Sequence, residues 1–447
     1  MELHPGYFVA IFGGACAGSE AAHQLAQRGI YSVVIEKNPL PYGKIEDGLP
    51  KWHVKLRNKE EKKIDDKINQ QYVSYVPNMK LGETIDFDEI VNNWGFSAVL
   101  LATGAWKDRP MTVPGIDDYI GKGFYYQNPF VDWFNHYHES DYDRELYEIH
   151  DDAVVIGGGL ASIDVVKILM LESTLRVLEK RGLESDLFSL DKKGIPKILD
   201  GLGLQFEDLE LKGCTLYYRR RDIDMPLASP PENATPEQLQ KTQMVRQKIL
   251  QNAQRKYCFR FQPCSVPVDK IVDGDRLVGL VFQKSEIIDG KVKLIPGSTF
   301  EVRSPLVISS IGSIPESTNK IPMKGELFII DNENTGKMEG YENVFALGNA
   351  VTGRGNIKES EVHGRIVVNH VMNDFLKWTH EDYTSLVNGD GGALNNQNRN
   401  LLTEEQIKSI QSRVVDLQKK VGYHGDYEKW VQEHKYERLE DILGIEA

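Results

Sequence analysis

The sequence predicts an α/β protein with two nucleotide-binding domains, one inserted into the other, followed by a helical C-terminal extension. Two observations predict the domains: two distant segments each combine an apolar strand, a glycine-rich turn and a helix. A third observation predicts the extension, because the chain from about residue 385 carries helical periodicity. The length of 447 residues suits two or three domains.

The first strand–turn–helix segment lies close to the start of the chain. Residues 7–14 form an apolar run that ends in glycines, and the next residues keep helical spacing as far as Gly29. Residues 31–37 then form a second apolar strand. This order is a β-α-β unit of about 30 residues, which builds parallel sheet.

The turn of this unit matches the Rossmann-like fingerprint G-x-G-x-x-G at Gly13 and Gly18, whereas Ala15 replaces the second glycine. Glu36 ends the next strand, near the spacing of about 20 residues at which an acid binds a ribose hydroxyl. A glycine turn without a ligand is the alternative, and the turn alone does not identify the nucleotide. The predicted binding residues are Gly13, Ala15, Cys16, Ala17, Gly18, Glu36 and Lys37.

The second copy of the pattern, at residues 151–170, is closer to the fingerprint, with serine at the small third position. An arginine run, Arg219–Arg221, ends the next strand, where an NAD site would carry an acid. Guanidinium groups bind a 2′-phosphate well, so the run favours NADP(H) over NAD(H); a solvated basic run is the alternative. The polar stretch 169–213 is interpreted as an insertion. The predicted binding residues are Gly157, Gly159, Leu160, Ala161, Ser162, Arg219, Arg220 and Arg221.

Composition excludes several other classes. The net charge of −13 disfavours binding to nucleic acid. No apolar run of about 18 residues is present, so no membrane span is expected, and no signal peptide is recognised. The four cysteines include no C-x-x-C pair, which disfavours a disulfide framework, an iron–sulfur site or a redox dithiol. We therefore expect a cytoplasmic protein without a metal site.

Segments between and after the two turns carry a specific resemblance. Residues 102–105, ATGA, resemble the segment of flavoprotein reductases at which the chain crosses from an FAD domain to an NAD(P) domain. Residues 307–317 resemble the return crossover. Residues 345–353 resemble the second FAD segment, which usually ends in Gly-Asp, whereas this chain has Gly348-Asn349. The resemblance implies bound FAD, with Thr103, Gly104, Gly348 and Asn349 among its contacts.

Further segments resemble adrenodoxin-reductase-type ferredoxin–NADP reductases. Residues 41–54 match that family's pattern at Gly43, Gly48 and His53, and Asp164 matches an acid in its second glycine segment. Residues 128–139 resemble its FVGWYN segment. By contrast, residues 217–226 look more like the small subunit of glutamate synthase.

The resemblance implies an FAD-dependent oxidoreductase that passes electrons from NADPH through the flavin to a ferredoxin- or flavodoxin-like carrier. It implies that His53 acts near the flavin, by electrostatic tuning or carrier docking; a surface histidine is the alternative. A helix expected from about Lys358 to Leu376 points its N-terminus at the flavin, which makes Asn356 and Ile357 candidates for main-chain contacts with it. The alternatives are the flavin subunit of a larger, glutamate-synthase-like complex and a redox-silent FAD-fold binding protein.

The resemblance also divides the chain. The expected domains are 1–112 and 316–384 for FAD, 113–315 for NADP with the insertion at about 169–213, and a helical extension at 385–447. A weak linker is expected at 388–398, and Thr403 and Gln406 are spaced as a capping box. The extension is expected to make an intermolecular contact, with a homodimer as one form. A locally basic segment, which either steers an acidic carrier or is a solvated helix face, comprises Lys51, Lys55, Arg57 and Lys59.

Overall fold

The protein is described by a computed structural model that covers residues 6–317, 320–353, 355–378 and 401–445. The weak linker expected at 388–398 lies outside these residues. The chain forms two units. Unit 1 contains the residues up to 49, residues 53–107 and those from 313 onward, and unit 2 contains residues 50–52 and 108–312.

The strands of the described residues are short in both parallel sheets. In chain order they are β1 Phe8–Phe12, β2 Tyr31–Ile35, β3 Val73–Val76, β4 Ala98–Leu101, β5 Lys107–Asp108, β6 Phe124–Tyr126, β7 Val154–Gly157, β8 Thr215–Tyr217, β9 Arg260–Gln262, β10 Ser265–Asp273, β11 Arg276–Ile288, β12 Lys291–Arg303, β13 Val307–Ser310, β14 Ser313–Ile314, β15 Met323–Lys324, β16 Leu327–Phe328 and β17 Val344–Ala346.

The α-helices of the same residues include three in the C-terminal extension. They are α1 Cys16–Ala26, α2 Lys44–Asp47, α3 Val54–Ile68, α4 Phe87–Asn93, α5 Gln127–His136, α6 Leu160–Lys180, α7 Leu187–Lys193, α8 Ile195–Gly201, α9 Pro236–Tyr257, α10 Asn349–Thr352, α11 Ile357–His370, α12 Glu404–Lys420, α13 Tyr427–Glu433 and α14 Leu439–Ile442. A single π-helical turn, Val371–Phe375, continues α11.

Unit 1 is built on a parallel sheet with the strand order β17-β4-β1-β2-β3. Its central strand β1 is buried along its whole length, as expected for a parallel sheet covered on both faces. Side chains alternate between two cores. Val9 and Ile11 face α1, α3 and α11, whereas Phe8 and Phe12 belong to the core that contains α4 and α12.

Unit 2 repeats this arrangement with the parallel order β6-β13-β7-β8-β9 and adds an antiparallel sheet, β10-β11-β12. Helix α6 follows the glycine turn after β7 and continues to Lys180. The stretch interpreted as an insertion, 169–213, therefore contains the second half of α6 together with α7 and α8. All of it belongs to the crossover between the neighbouring parallel strands β7 and β8.

The C-terminal extension packs within unit 1. Thr403 and Gln406 form the predicted capping box at the start of α12. The apolar side chains of Ile407 and Ile410 lie in one core of the unit, and that of Trp430 lies in the other. Other apolar side chains of the extension, those of Val415, Ile442 and Leu443, are exposed. The expectation that this segment makes an intermolecular contact, with a homodimer as one form, stays a prediction.

Candidate functional site

In unit 1 the strand order changes direction beside β1. Strands β2 and β3 lie on one side of β1, and β4 and β17 lie on the other. Ligands of such sheets bind at the carboxyl ends of the strands where this change occurs. Gly13 follows β1 at this point and Ala102 follows β4: a Cβ added to Gly13 would lie 2.5 Å from the Ala102 carbonyl oxygen. The backbones after β1 and β4 therefore approach each other closely at the first glycine turn.

Helix α1 begins directly after the same glycine turn. Ala15 is the N-cap residue but its side chain makes no capping hydrogen bond, and the first turn contains no acidic residue. The backbone N–H groups of Cys16 and Ala17 are therefore positioned for an anion such as a diphosphate. Burial raises the pKa of the Cys16 thiol to about 12, so this cysteine is protonated at neutral pH.

The alanine at the second fingerprint position is accommodated by another glycine. A Cβ added to Gly43 would lie 2.9 Å from the Cβ of Ala15, and Gly43 has a φ of +53°. The methyl group of Ala15 thus occupies space that Gly43 leaves empty. The departure from the fingerprint is therefore accommodated locally, and nucleotide binding by this turn stays a prediction.

Glu36 ends β2 directly beside the turn, as predicted. Its side chain is buried, with Oε2 accepting from the Gly14 N–H at 2.8 Å and Oε1 accepting from the Asn38 N–H at 3.1 Å. Burial raises the pKa of Glu36, and the hydrogen bond from Gly14 opposes that effect. The carboxylate is therefore held beside the turn, and its contact with a ribose stays a prediction.

Lys37 contacts an aromatic ring that sequence reasoning missed. Its Nζ lies 3.6 Å from the centroid of the Trp106 ring, and the pKa of Lys37 is lowered by burial. Trp106 comes two residues after Gly104, whose added Cβ would lie 3.5 Å from the indole Nε1. Thr103 and Gly104 are half-buried after β4. In the sequence, Trp106 could have been recognised as a site residue because it is an aromatic residue directly after the ATGA segment.

The segment after β17 also reaches the start of α1. A Cβ added to Gly348 would lie 2.6 Å from the Cβ of Ala17. The Gly348 N–H donates to Nδ1 of the buried His363 at 2.8 Å, and His363 Nε2 lies 2.8 Å from the Glu333 carbonyl oxygen. His363, which the sequence did not single out, therefore fixes this segment against the turn.

The side chains of two residues predicted to contact the flavin, Asn349 through its side chain and Asn356 through its main chain, accept hydrogen bonds from backbone N–H groups. Asn349 Oδ1 accepts from the Gly355 N–H at 2.7 Å, so this oxygen holds the loop before α11. Asn356 is the N-cap of α11 and accepts from the Glu359 N–H at 3.0 Å. Helix α11 begins at Ile357, close to the predicted start. Contact of these residues with a flavin stays a prediction.

Unit 2 carries the same relationship between its first glycine and the neighbouring strand. A Cβ added to Gly157 would lie 2.4 Å from the Ser310 carbonyl oxygen, and Ser310 ends β13. Gly159, the N-cap of α6, faces open space within 4 Å. Leu160 and Ala161 are exposed, whereas Ser162 is buried and donates from Oγ to the Gly159 carbonyl oxygen at 2.7 Å. An open glycine turn at a helix N-terminus suits a pyrophosphate.

The arginine run lies at the end of β8, but its members differ. Arg221 forms a bidentate ion pair with Asp224, at 2.8 Å from Nε and 3.0 Å from Nη2. Arg219 is exposed and Arg220 is half-buried, and neither forms an ion pair with any described residue. Arg221 thus differs from the other two because the acid three residues downstream already pairs with it, and binding of a 2′-phosphate by the three arginines stays a prediction.

Asp164 lies in α6, just after the first turn of the helix. Its Oδ1 is 3.8 Å from Lys167 Nζ, and Lys167 Nζ is also 2.9 Å from Asp191. Burial raises the pKa of Asp164 to about 6 against the opposing effect of Lys167. The structure thus joins Asp164 to an ionic cluster of unit 2, and its contact with a nucleotide stays a prediction.

The basic segment is only partly exposed. Lys51 and Arg57 are buried, and Arg57 forms an ion pair with Glu440, whereas Lys55 and Lys59 are exposed. Only Lys55 and Lys59 of this segment can therefore belong to a solvated face or steer a carrier, and carrier steering stays a prediction. His53 is half-buried and precedes α3 as its N-cap residue, without a side-chain capping hydrogen bond.

Comparison with known proteins identifies similar chains. Residues 7–178 match the family described as pyridine nucleotide-disulphide oxidoreductase. NADPH-ferredoxin reductase FprA of Mycobacterium tuberculosis is 24% identical over 379 residues, which is 76% of this chain and 78% of the relative. NADPH:adrenodoxin oxidoreductase of Arabidopsis thaliana is 26% identical over 170 residues, 37% of this chain and 34% of the relative. The small chain of glutamate synthase [NADPH] from Bacillus subtilis is 31% identical over 161 residues, 35% of this chain and 31% of the relative.

The extent of these matches differs. The chain spans only about a third of the two mitochondrial adrenodoxin oxidoreductases that it matches, at 34% of each. The solved structure of Mycobacterium tuberculosis FprA in complex with NADPH aligns with a TM-score of 0.65 at 19% identity, covering 93% of this chain and 91% of that one. The predicted α/β fold and the predicted resemblance are confirmed. Among the described residues, no helix is both long and apolar enough to cross a membrane.

Proposed function

We propose that this chain, whose residues 7–178 match the pyridine nucleotide-disulphide oxidoreductase family, is an FAD-dependent NADPH oxidoreductase that supplies electrons to a ferredoxin- or flavodoxin-like carrier. One observation carries the proposal. The same close approach of a first glycine to the neighbouring strand occurs twice, between Gly13 and Ala102 and between Gly157 and Ser310. The first turn lies beside a buried acid, and the strand next to the one that precedes the second turn is followed by two arginines that form no ion pair with any described residue.

Unit 1 supplies groups suited to FAD. The N–H groups at the start of α1 would bind the diphosphate, and Glu36 would bind the adenosine ribose. Gly104 and Gly348 would let the backbone approach the ligand, because no side chain stands at either position. When bound, FAD would supply the redox chemistry: it can accept a hydride from NADPH and can release electrons one at a time.

Unit 2 supplies groups suited to NADP(H). The turn at Gly157 and Gly159 would receive the pyrophosphate, and exposed Leu160 would be covered by the dinucleotide. Arg219 and Arg220 would hold the 2′-phosphate, which is the group that distinguishes NADP(H) from NAD(H). Arg221, paired with Asp224, would orient the loop that carries them.

A second candidate is the flavin subunit of a larger complex. The arginine run followed by Met225-Pro226 favours it, because this segment resembles the glutamate synthase small subunit more than the reductases. A disulfide reductase is disfavoured, since the cysteines Cys16, Cys214, Cys258 and Cys264 are all unpaired and form no C-x-x-C motif. The two candidates therefore differ in the electron acceptor and in whether the chain works as part of a larger complex.

The experiment begins with the flavin content of the purified protein. The protein is expected to retain FAD, to reduce ferricyanide with NADPH, and to reduce an added ferredoxin or flavodoxin without a further subunit. FAD binding with ferricyanide activity but no transfer to either carrier would favour the complex subunit. Absence of FAD binding, even after reconstitution with excess FAD, would contradict the proposal and favour a redox-silent binding protein.

A further inference from the structure

We propose that the C-terminal segment, residues 423–440, holds the 39–47 loop of unit 1 in its ligand-binding position, with Arg438 as a positioning residue. The 39–47 loop runs from Pro39 to Asp47 and includes the short helix α2 at its end. It packs against the first glycine turn. The inference rests on the proposed function of unit 1 as the FAD-binding unit. It assigns a role to the part of the chain that the dinucleotide motifs leave unexplained.

The 39–47 loop packs directly on the turn that would receive the diphosphate. A Cβ added to Gly14 would lie 2.5 Å from the Cβ of Pro41, and one added to Gly43 would lie 2.9 Å from the Cβ of Ala15. Two successive residues of the turn are therefore fixed by two residues of the loop. Gly14 and Ala15 have no long side chain that could fill a gap. A shift of the loop by about an ångström would therefore widen or narrow the turn.

Aromatic residues of the C-terminal segment contact the beginning and middle of this loop. Trp430 Nε1 donates to the Pro39 carbonyl oxygen at 2.8 Å. Tyr427 donates to Asp65 at 2.7 Å, and Tyr42, inside the loop, donates to the same carboxylate at 3.1 Å. All three aromatic side chains are buried, so these hydrogen bonds are shielded from water.

Arg438 contacts the end of the loop. Its guanidinium group donates to both carboxylate oxygens of Glu46, at 2.5 and 2.7 Å, and to Glu61 at 2.9 Å. Arg438 is 8% exposed and Glu46 is 4% exposed. A bidentate pair of this kind fixes orientation as well as distance. Burial lowers the pKa of Arg438, but Glu46 and Glu61 hold it above its ordinary value, so the guanidinium stays charged.

A second ion pair strengthens the same junction. Arg57 of α3 pairs with Glu440, and its Nε lies 3.8 Å from Glu61. Two buried guanidinium groups and three carboxylates therefore join α2, α3 and the C-terminal segment. Removing one member leaves its partners charged and buried, which is more destabilising than the loss of an exposed pair. The junction favours one position of the loop.

The extension offers an internal control for this role. Ile410 of α12 lies in the core on the other face of the sheet, away from the 39–47 loop. Shortening Ile410 destabilises the packing of the extension without touching the loop. Substitutions at Ile410 and at Arg438 therefore separate an effect on global stability from an effect on the position of the loop.

The test uses the full-length protein with FAD as the probe. The dissociation constant of FAD is measured by the fluorescence of released flavin for wild type, Arg438→Gln, Arg438→Lys and Ile410→Val, together with each melting temperature and flavin absorption spectrum. We expect Arg438→Gln to weaken FAD binding about tenfold or more and to shift the spectrum. Arg438→Lys should restore part of the affinity, and Ile410→Val should lower only the melting temperature.

Two results would overturn the inference: an Arg438→Gln variant that binds FAD within about twofold of wild type, or an Ile410→Val variant that weakens FAD binding as much. Where Arg438→Gln does not fold, Glu46→Gln, which keeps the shape of the side chain, is subject to the same comparison. A wild-type protein that binds no FAD would instead contradict the proposed function, so the two failures are distinguishable.

Discussion

A Cβ added to Gly18 would lie 1.8 Å from the carbonyl oxygen of Gly13. The third glycine of the fingerprint therefore lies in direct contact with the backbone of the first, and α1 packs against its own turn. We predict that Gly18→Ala forces the helix away from β1 at a cost of about 3 kcal/mol or more in free energy of unfolding, because the obstacle is backbone. Urea unfolding followed by circular dichroism measures this cost.

Gly201 is the matched control for that substitution. It lies in α8, and a Cβ added there meets no heavy atom within 4 Å. Gly201→Ala should be neutral or stabilise the protein by up to about 1 kcal/mol, because alanine lowers the conformational entropy of the unfolded chain. Equal stabilities for the two variants would show that α1 does not pack on the Gly13 turn.

The arginines at the end of β8 should contribute unequally to nucleotide choice. We predict that Arg219→Gln or Arg220→Gln raises the KM for NADPH about tenfold or more and leaves the KM for NADH nearly unchanged, because a charge-assisted hydrogen bond to the 2′-phosphate is lost. Steady-state kinetics with ferricyanide measure both constants.

Arg221→Gln is the comparison variant, because Arg221 already pairs with Asp224. Its effect on the two KM values should be smaller and similar for both nucleotides. If Arg221→Gln alone abolished the preference for NADPH, the assignment of Arg219 and Arg220 to the 2′-phosphate would be wrong.

Glu36 needs both of its oxygens. It accepts from the N–H groups of Gly14 and Asn38, and glutamine would offer only one acceptor oxygen for the two donors. We predict that Glu36→Gln weakens FAD binding about tenfold, measured by flavin fluorescence. The exposed Glu83 is the control, and Glu83→Gln should bind FAD like wild type. Unchanged binding by Glu36→Gln would remove the acid from the proposed site.

The ionic junction should make stability depend on pH in a defined direction. Burial raises the pKa of Glu61 to about 7; Arg438 opposes this shift and nearby Glu46 adds to it. Because the folded protein holds this proton more tightly than the unfolded chain, the stabilisation is present at low pH and is lost as pH rises through about 7. We predict that, between about pH 5.5 and 8.5, wild type loses more unfolding free energy than Glu61→Gln. The free energies of unfolding are measured with urea at both pH values. Equal losses for the two proteins would contradict the prediction.

The sequence predicted the parts of the site that depend on local pattern. Both glycine turns, the acid at the end of β2 and the capping box at Thr403 follow from residue type and spacing over a few tens of residues, because strands, turns and caps are local. Asp224 showed the limit even at short range. The run Arg-Asp-Ile-Asp offers two acids, and only the short helical turn at 222–224 determines which one pairs with Arg221.

Long-range contacts were beyond the sequence for a physical reason. Arg438 and Glu46 are 392 positions apart, and no periodicity relates them. Arg57 lies in a charged helix that reads as solvated, yet it is buried because Glu440 supplies a countercharge from the far end of the chain. A buried charge is recognised only when its partner is known, so the role of the extension had to come from the structure.

The most direct test of the central claim is anaerobic stopped-flow mixing of the FAD-loaded protein with NADPH or with NADH, following flavin absorbance near ~450 nm. We predict rapid bleaching by NADPH and bleaching by NADH that is slower by about tenfold or more at equal concentration, because only NADPH carries the phosphate that Arg219 and Arg220 are proposed to bind. Bound flavin that neither nucleotide bleaches would contradict the proposed oxidoreductase, and bleaching by NADH alone would contradict the assignment of the arginines.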